Sequence, residues 1–460
     1  MKRVLSVSLA VIMLLGCSLF LFTGCEKEEE EVITTNLLRV GILSDVHIGP
    51  HWGVQQHERF EKALLFYKSK GVDGVLITGD LQENTDFSVA SNSLEELVDI
   101  WFRVFPDNKN TLTGEHVEPM FIYGNHDVGL VDAEYWPERL GTYEDAWIKE
   151  IKGYQFVGAH YKREGSELAA NLAGRAEALS EDKPFFFAQH QPVKTTILNA
   201  NEGLLGTGGF MYDVLRKYEN CVVFTGHTHI PITDERSIWQ SNSKKGAQFT
   251  AVNCSTINYA WLESAGLSVN GDADKTQQGL YMIVDGAMVT LERYSFYDME
   301  LQYEGDLTTT NVEAAEQIGA PWVFDATQKK NKPYDYETRQ LKAEQPVFAD
   351  DAVLDIGGVG PTTINVFIPP ATVGAPDGFS DLVQSYRVDA VDKDTGEVVA
   401  TATVATEYHV DIDESRLHSE VFLGLEGLQP NTTYEIRAYA LECYQKASEP
   451  LIAEVTTKAE

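Results

Sequence analysis

Basic residues are scarce in this chain. Its 460 residues include 36 Lys and Arg against 70 Asp and Glu, a formal net charge of −34. Such a field repels polyanions and argues against nucleic-acid binding, although a small anionic ligand is still admissible where local cations offset the charge. Cysteine is scarce too, with five in all. Cys17 and Cys25 lie near the N-terminus, and Cys221, Cys254 and Cys443 are too scattered to make a disulfide framework. Cys221 opens one apolar run and Cys254 follows another, so buried thiols are expected, with a Cys221–Cys254 bond as the alternative. Beyond the N-terminus no apolar run approaches the ~18 residues that a membrane-spanning helix requires. There are no internal repeats. What is present is a hydrophobic content of 43%, which excludes a mainly disordered chain. The length also exceeds the ~250–300 residues at which single cores stop growing, so more than one domain is expected.

The N-terminus reads as a targeting segment: Lys2 and Arg3, an apolar stretch, then Phe22-Thr23-Gly24-Cys25. That last tetrapeptide resembles the lipobox of bacterial lipoproteins, with Phe22 in place of the usual Leu. The resemblance implies a signal peptide over 1–24 and acylation of Cys25. Residues 25–37, with the run EKEEEE, would then be a solvated acidic tether. The body would be extracytoplasmic and lipid-anchored to a bacterial membrane, on its periplasmic face or at the cell surface. The competing readings are cleavage at Leu14-Leu15-Gly16-Cys17 and an uncleaved membrane anchor.

From Leu37 to Leu43 the chain is apolar enough for a buried strand. HERFEKALLFYKSKG follows with helical spacing and a glycine stop. Then come a strand at Gly74–Ile77, the amphipathic SLEELVDIWFRVF, and strands at Met120–Tyr123, Phe185–Phe187 and Cys221–Phe224. This alternation predicts an α/β domain whose parallel strands are buried on both faces, spanning 38–325. YMIVDGAMVTLERY predicts a hairpin turning at Asp285-Gly286 in a type I′ turn. Residues 326–346 lose apolar content and gain charge, as a linker would. From 347 to 460 only short alternating strands and turns appear. Leu428, Pro430 and Tyr434 resemble the corner of a fibronectin type III-like sandwich, an all-β immunoglobulin-like fold of about that size. Its expected job is spacing or packing against the first domain, and its deletion is expected to leave the first domain's ligand set intact.

The residues that close each strand carry the chemistry. They are Asp45 and His47, then Asp80 after Gly79, then Gly124-Asn125-His126-Asp127, then His190, then Gly226-His227-Thr228-His229. Ligands of open α/β sheets bind beyond the carboxyl ends of the strands. Each piece alone has a plain structural reading, an Asx turn or a satisfied histidine. Five such coincidences in one chain do not. Imidazoles, carboxylates and one amide oxygen suit Mn, Fe, Zn or Ni better than Ca or Mg. Seven candidate ligands exceed one tetrahedral ion and fit two ions with a shared carboxylate.

In this order and spacing, D-x-H, G-D, G-N-H-D, H and G-H-x-H resemble the calcineurin-like metallophosphoesterase superfamily. The resemblance implies two packed β-sheets flanked by helices, an αββα sandwich, with a dimetal site at the sheet edges. It implies that Asp45, His47 and His229 hold one divalent or trivalent transition-metal ion, that Asn125, His190 and His227 hold the other, and that Asp80 bridges. His126 would face substrate and serve the leaving oxygen, with Asp127 orienting its ring. Gln191 stands where many relatives carry a second histidine. The implied reaction is hydrolysis of a small phosphate ester by in-line attack of metal-bound hydroxide. A diester is slightly favoured over a monoester or a nucleotide pyrophosphate. The alternative of another class is a surface-binding lipoprotein, its sandwich contacting glycan or protein and its first domain inert or secondary. His51, Trp52, Asn84, Tyr123, Tyr259 and Trp261 are candidates for the cleft. His57, His116, His160, His409 and His418 are expected at the surface or in loops.

Overall fold

The computed structural model describes residues 37–49, 55–83, 87–127, 139, 146–160, 172, 182–200, 209–243, 249–262, 273–305, 307–409 and 421–459. The signal peptide, residues 25–36 of the tether, His51, Trp52, Asn84 and His418 lie outside the described residues, as do Cys17 and Cys25.

Two sheets face each other. The first contains β1 (Leu38–Leu43), β2 (Gly74–Ile77), β3 (Glu118–Phe121), β10 (Gln278–Asp285), β11 (Met288–Ser295), β14 (Glu316–Gln317) and β15 (Trp322–Asp325). Its order is β14-β11-β10-β1-β2-β3, with β15 also paired to β11; β1, β2 and β3 run parallel, and β10 returns antiparallel to β1. The second contains β4 (Ala146–Ile151), β5 (Tyr154–Ala159), β6 (Phe185–Ala188), β7 (Cys221–Thr225), β8 (Ile238–Trp239) and β9 (Thr250–Asn253), in the order β4-β5-β6-β7-β9-β8. A ribbon of β12 (Leu301–Glu304) and β13 (Leu307–Thr310) stands apart.

Alternation of side chains along each strand sorts the apolar residues into layers. Val40, Ile42, Leu76 and Met120 from the first sheet meet Phe186, Val222, Phe224 and Val252 from the second. On the outer face of the first sheet, Leu43, Val75 and Ile77 pack under Phe60, Leu64 and Tyr67 of the helix Gln55–Ser69 and Leu97 and Trp101 of the helix Phe87–Val104. Outside the second sheet, Phe185, Phe187 and Val223 meet Met211 and Leu215 of the helix Gly209–Leu215. The result is an αββα sandwich. Strands buried on both faces cannot show a period of two, which is why they read as plain apolar runs.

The strands fall where expected, within a residue or two. The hairpin differs in its turn. Asp285 pairs with Met288, so Gly286 and Ala287 are the central residues, and only Gly286 has a positive φ, 61°. That is the type II′ pattern, which puts glycine first, rather than type I′.

Residues 326–346 are not a solvated linker. Lys332, Tyr334 and Arg339 are buried, Arg339 within the helix Tyr336–Lys342, and Gln240 receives the Tyr334 N–H and donates to Thr250. The charge counted in this stretch is folded into a strap between two domains. After β16 (Val347–Phe348) the chain forms a sandwich with one sheet of β17 (Asp355–Val359), β18 (Ile364–Ile368) and β22 (Val421–Leu425). The other sheet, in spatial order β21-β20-β23-β24, holds β20 (Val383–Asp392), β21 (Val398–Ala405), β23 (Thr433–Glu442) and β24 (Leu451–Thr456), and the short β19 (Ala371–Thr372) pairs β16. Three strands face four, the fibronectin type III-like arrangement. The Tyr434 hydroxyl accepts the Gln429 N–H at 2.9 Å, closing the corner read from the sequence.

Cys221, Cys254 and Cys443 are buried free thiols, and no Cys221–Cys254 bond forms. Among the described residues no helix is long and apolar enough to cross a membrane.

Candidate metal centre

Three loops from the first sheet and two from the second converge at one edge. The turns after β1 and β2 zip together, with Asp45 N–H donating to Gly79 O (3.1 Å) and His47 N–H to Asp80 O (2.9 Å). Five of the predicted ligands sit on left-handed backbone: Asp45 (φ 53°), His47 (53°), Asp80 (51°), His227 (70°) and His229 (50°). Non-glycine residues there cost of order 1–3 kcal/mol each, and such outliers cluster at functional sites. Two motif glycines are needed for close approach. A Cβ at Gly79 would lie 2.4 Å from His190 Nδ1, and one at Gly226 would lie 2.5 Å from Asp45 Oδ2.

The side chains assemble as two clusters, Asp45 with His47 and His229, and Asp80 with His190 and His227; within each, the facing donor atoms lie within 4.8 Å of one another. Asp80 sits between them, its Oδ2 3.1 Å from His190 Nε2 and 3.9 Å from His47 Nε2. Asn125 Oδ1 is 3.0 Å from His190 Nε2. His190 Nδ1 donates to Thr78 O and His229 Nδ1 to Tyr259 O, each at 2.8 Å, so both rings aim Nε2 inward. This outer ring of carbonyl acceptors fixes tautomer and orientation, as around metal-ligating imidazoles generally.

The inward-facing groups crowd one another. His47 Nε2 and His229 Nε2 lie 3.2 Å apart, Asp45 Oδ1 lies 3.0 Å from His229 Nε2, and His227 Nε2 is buried without a hydrogen-bond partner. Buried polar atoms are rarely left so, and cations between them would resolve the crowding. The residues present therefore fit two metal ions. Burial alone would raise Asp45, yet His229 and His47 hold it well below the usual carboxylate range. Burial would likewise lower His47, but hydrogen bonds to Asp45 and Glu83 lift it to about 10.

His126 is one-third exposed at its side chain, and its Nε2 lies 3.9 Å from Asp80 Oδ2. Its ring is not oriented by Asp127. The Asp127 carboxylate accepts the backbone N–H groups of Leu81 (3.1 Å), Gln82 (3.1 Å) and Gly124 (2.7 Å), pinning the turn after β2 to the turn after β3. An aspartate directly after His126 is too short to turn back to the ring and instead satisfies these buried donors. Glu83 does the orienting. Its Oε1 is 3.0 Å from His126 Nδ1, and its Oε2 meets His47 Nδ1. The sequence signal available for Glu83 was its place three residues after Asp80, which in a tight turn returns a side chain to the same side.

Of the cleft candidates, Tyr259 lies with its ring 4.4 Å from that of His229, and Trp261 is 40% exposed. Tyr123 is buried against His160. His160 and His409, expected at the surface or in loops, are buried, at 1% and 0% exposure. His160 Nδ1 accepts the Tyr123 N–H, which a strand end otherwise leaves without an acceptor.

Residues 38–231 match the calcineurin-like phosphoesterase family, and the chain carries a phosphoesterase domain of that family. Structurally similar proteins include vacuolar protein sorting 29 from Cryptosporidium parvum, with 14% identity over 63% of this chain and 98% of that one and a TM-score of 0.30. Purple acid phosphatase PPD1 from yellow lupin, Lupinus luteus, is 15% identical over 60% of this chain and 53% of its own, with a TM-score of 0.37. The FN5 domain of Drosophila Lar is 17% identical over 26% of this chain and 99% of its own, with a TM-score of 0.16. No curated protein matches the chain.

Proposed function

We propose that the protein is a dimetal phosphoesterase that hydrolyses a small phosphate ester. The observation that carries this reading is the position of Asp80, whose one carboxylate oxygen approaches a histidine of each cluster. Asp45, His47 and His229 would hold one ion, Asn125, His190 and His227 the other, with Asp80 shared. Such ions, when bound, offset phosphoryl charge and lower the pKa of water. The chain's own part is orientation and proton handling. Glu83 accepts a hydrogen bond from His126 Nδ1–H and favours the imidazolium, whose Nε2–H would protonate the departing oxygen. Asp127 keeps the two turns that carry Asp80 and Asn125 in register.

A diester is the preferred substrate class in this reading. Among the described residues, these site groups make their ion pairs and hydrogen bonds with histidines, carboxylates, amides, hydroxyls and backbone rather than with lysine or arginine. A monoester dianion would bring more charge than a diester, and among the described residues these hydrogen bonds and ion pairs bring no lysine or arginine to offset it. Anchoring through a lipidated Cys25, in a protein exported by a bacterium, belongs to the same proposal and rests on the sequence.

The test compares hydrolysis of bis-p-nitrophenyl phosphate and p-nitrophenyl phosphate by Mn-loaded protein beginning at residue 26, beside Asp80→Asn. Turnover that disappears in the variant is expected, with the diester preferred. Protein that binds no Mn would overturn the reading.

A further inference from the structure

His229 is followed at once by a buried seam between the two domains. Ile230, Ala260 and Leu262 pack in one cluster with Leu382, Tyr408 and Tyr444 of the sandwich. Ala260 adjoins Tyr259, whose carbonyl accepts the His229 Nδ1–H at 2.8 Å, and Trp261 N–H donates back to His229 O at 3.2 Å. Further along, Ile232 N–H donates to Gln278 Oε1 (2.8 Å), while Gln278 Nε2 donates to the His409 carbonyl (2.9 Å). Asp234 and Glu235 are fully buried. Asp234 Oδ2 accepts from Gln384 Nε2 (2.9 Å) and the Tyr408 hydroxyl (3.3 Å), and Glu235 Oε1 accepts the Ser380 N–H (3.1 Å). The sandwich therefore supplies both apolar cover and hydrogen-bond partners to the segment carrying His229.

Among the described residues, the hydrogen bonds that set the other cluster stay within the first domain, and Asn253, which supports the His227 turn, reaches Ile230 O (2.7 Å) and Ser237 Oγ (3.2 Å) without touching the sandwich. His190 is set by Thr78 O, and His227 N–H donates to Asp45 Oδ2 at 3.0 Å. Thr228 Oγ1 donates to Asn253 Oδ1 within the first domain.

We propose that the C-terminal sandwich positions His229, so that the ion pocket of Asp45, His47 and His229 depends on the seam while the pocket of Asp80, His190 and His227 does not. This rests on the dimetal reading above, and it replaces the expectation that the sandwich can be deleted without loss at the site. Tyr408, Gln384 and Asp234 are positioning residues in this scheme: they touch neither ion nor substrate and act through the backbone of residues 230–235.

The experiment uses the intact chain from residue 26, with Tyr408→Ala at the seam, Tyr408→Phe as the conservative variant, and Val366→Ala in the sandwich's own core as a control. Two quantities are read: Mn bound per chain across a titration, and amide hydrogen exchange over 230–237 in the ion-free protein. Tyr408→Ala is expected to hold one Mn as wild type does and to bind the second about tenfold more weakly or worse. Its 230–237 amides should exchange about tenfold faster, without a like change at 186–190. Tyr408→Phe should recover both values, and Val366→Ala should lower the melting temperature and move neither. Should Tyr408→Ala fail to fold, Gln384→Ala decides by the same two readouts. The proposal is overturned if both ions stay within about twofold of wild-type affinity in a folded seam variant, or if both weaken together. It is equally overturned if Val366→Ala reproduces the loss. Wild-type protein that binds no Mn sinks the dimetal reading instead, and the exchange data still report whether the sandwich holds the segment.

Discussion

The metal centre and the domain seam both bury charge, and they do it in opposite ways. At the seam every acceptor of Asp234 and Glu235 has a donor. Arg236 Nε and Nη2 reach Asp234 at 2.9 and 2.8 Å, and Arg293 Nη2 reaches Glu235 at 2.9 Å. Arg293 spends its other donors on the carbonyls of Ile232 and Ala320. At the centre His227 Nε2 has no partner, and Asp45 Oδ1 faces only the crowded Nε2 atoms of His229 and His47, at 3.0 and 3.7 Å. The Asp234 and Glu235 network is complete, although Arg339 Nε and Nη1, Asp381 Oδ2 and Thr233 Oγ1 are left without hydrogen-bond partners elsewhere at the seam; what distinguishes the centre is that its crowded atoms are metal-ligating types facing one another.

The largest effect should come from the gap-spanning carboxylate. Asp80→Asn is expected to lower turnover by at least about 10²–10³-fold with the fold retained, checked by kinetics and circular dichroism together. Next, Arg293→Met should destabilise the ion-free protein by about 3–5 kcal/mol in urea unfolding, since it strands Glu235 in the interior. Replacing both Arg293 and Glu235 with apolar residues should cost less than the single change. If the single change is harmless, Glu235 is not held in the closed network described.

His160 offers a pH test of a buried group outside both regions. Burial pushes its pKa down to about 4. The unfolded chain then takes up the proton first, near pH 6.5, so the contribution is fully present above that and is lost as pH falls toward 4. The expected loss is roughly 2–4 kcal/mol across that window, and His160→Gln, which keeps an acceptor for Tyr123, should flatten it. The smallest effect is the sharpest for the comparison. His227→Leu should change the stability of ion-free protein by only about 1 kcal/mol in either sign, yet remove the stabilisation that Mn confers on wild type. A large loss without ions would mean that the gap at His227 is structural.

Strand ends, motif order and the two-domain plan were legible in the sequence because they are local: an apolar run, then a ligand, repeated. Glu83, the packed strap and the seam were not. Thr233-Asp234-Glu235-Arg236 reads as a solvated loop until one sees Arg293 arriving from 58 residues away and Gln384 from 150. Tyr334 and Arg339 were hidden in the same way by the charge around them. Asp127 was legible as a site residue but not in its role, because the three N–H groups it satisfies are not written in side chains.

The register of β1 bears on the order of assembly. One edge of β1 is met early by β2, with Val40 opposite Gly74. Its other edge pairs with β10, Leu38 opposite Val284 and Ile42 opposite Leu280. An apolar strand near the start of the body thus keeps an open side until most of the first domain has been synthesised. Closing so long a loop is slow, and an unpaired edge invites other chains. The first sheet is therefore completed late in synthesis, and a chain arrested before residue 280 would present β1 to its neighbours as a template for aggregation.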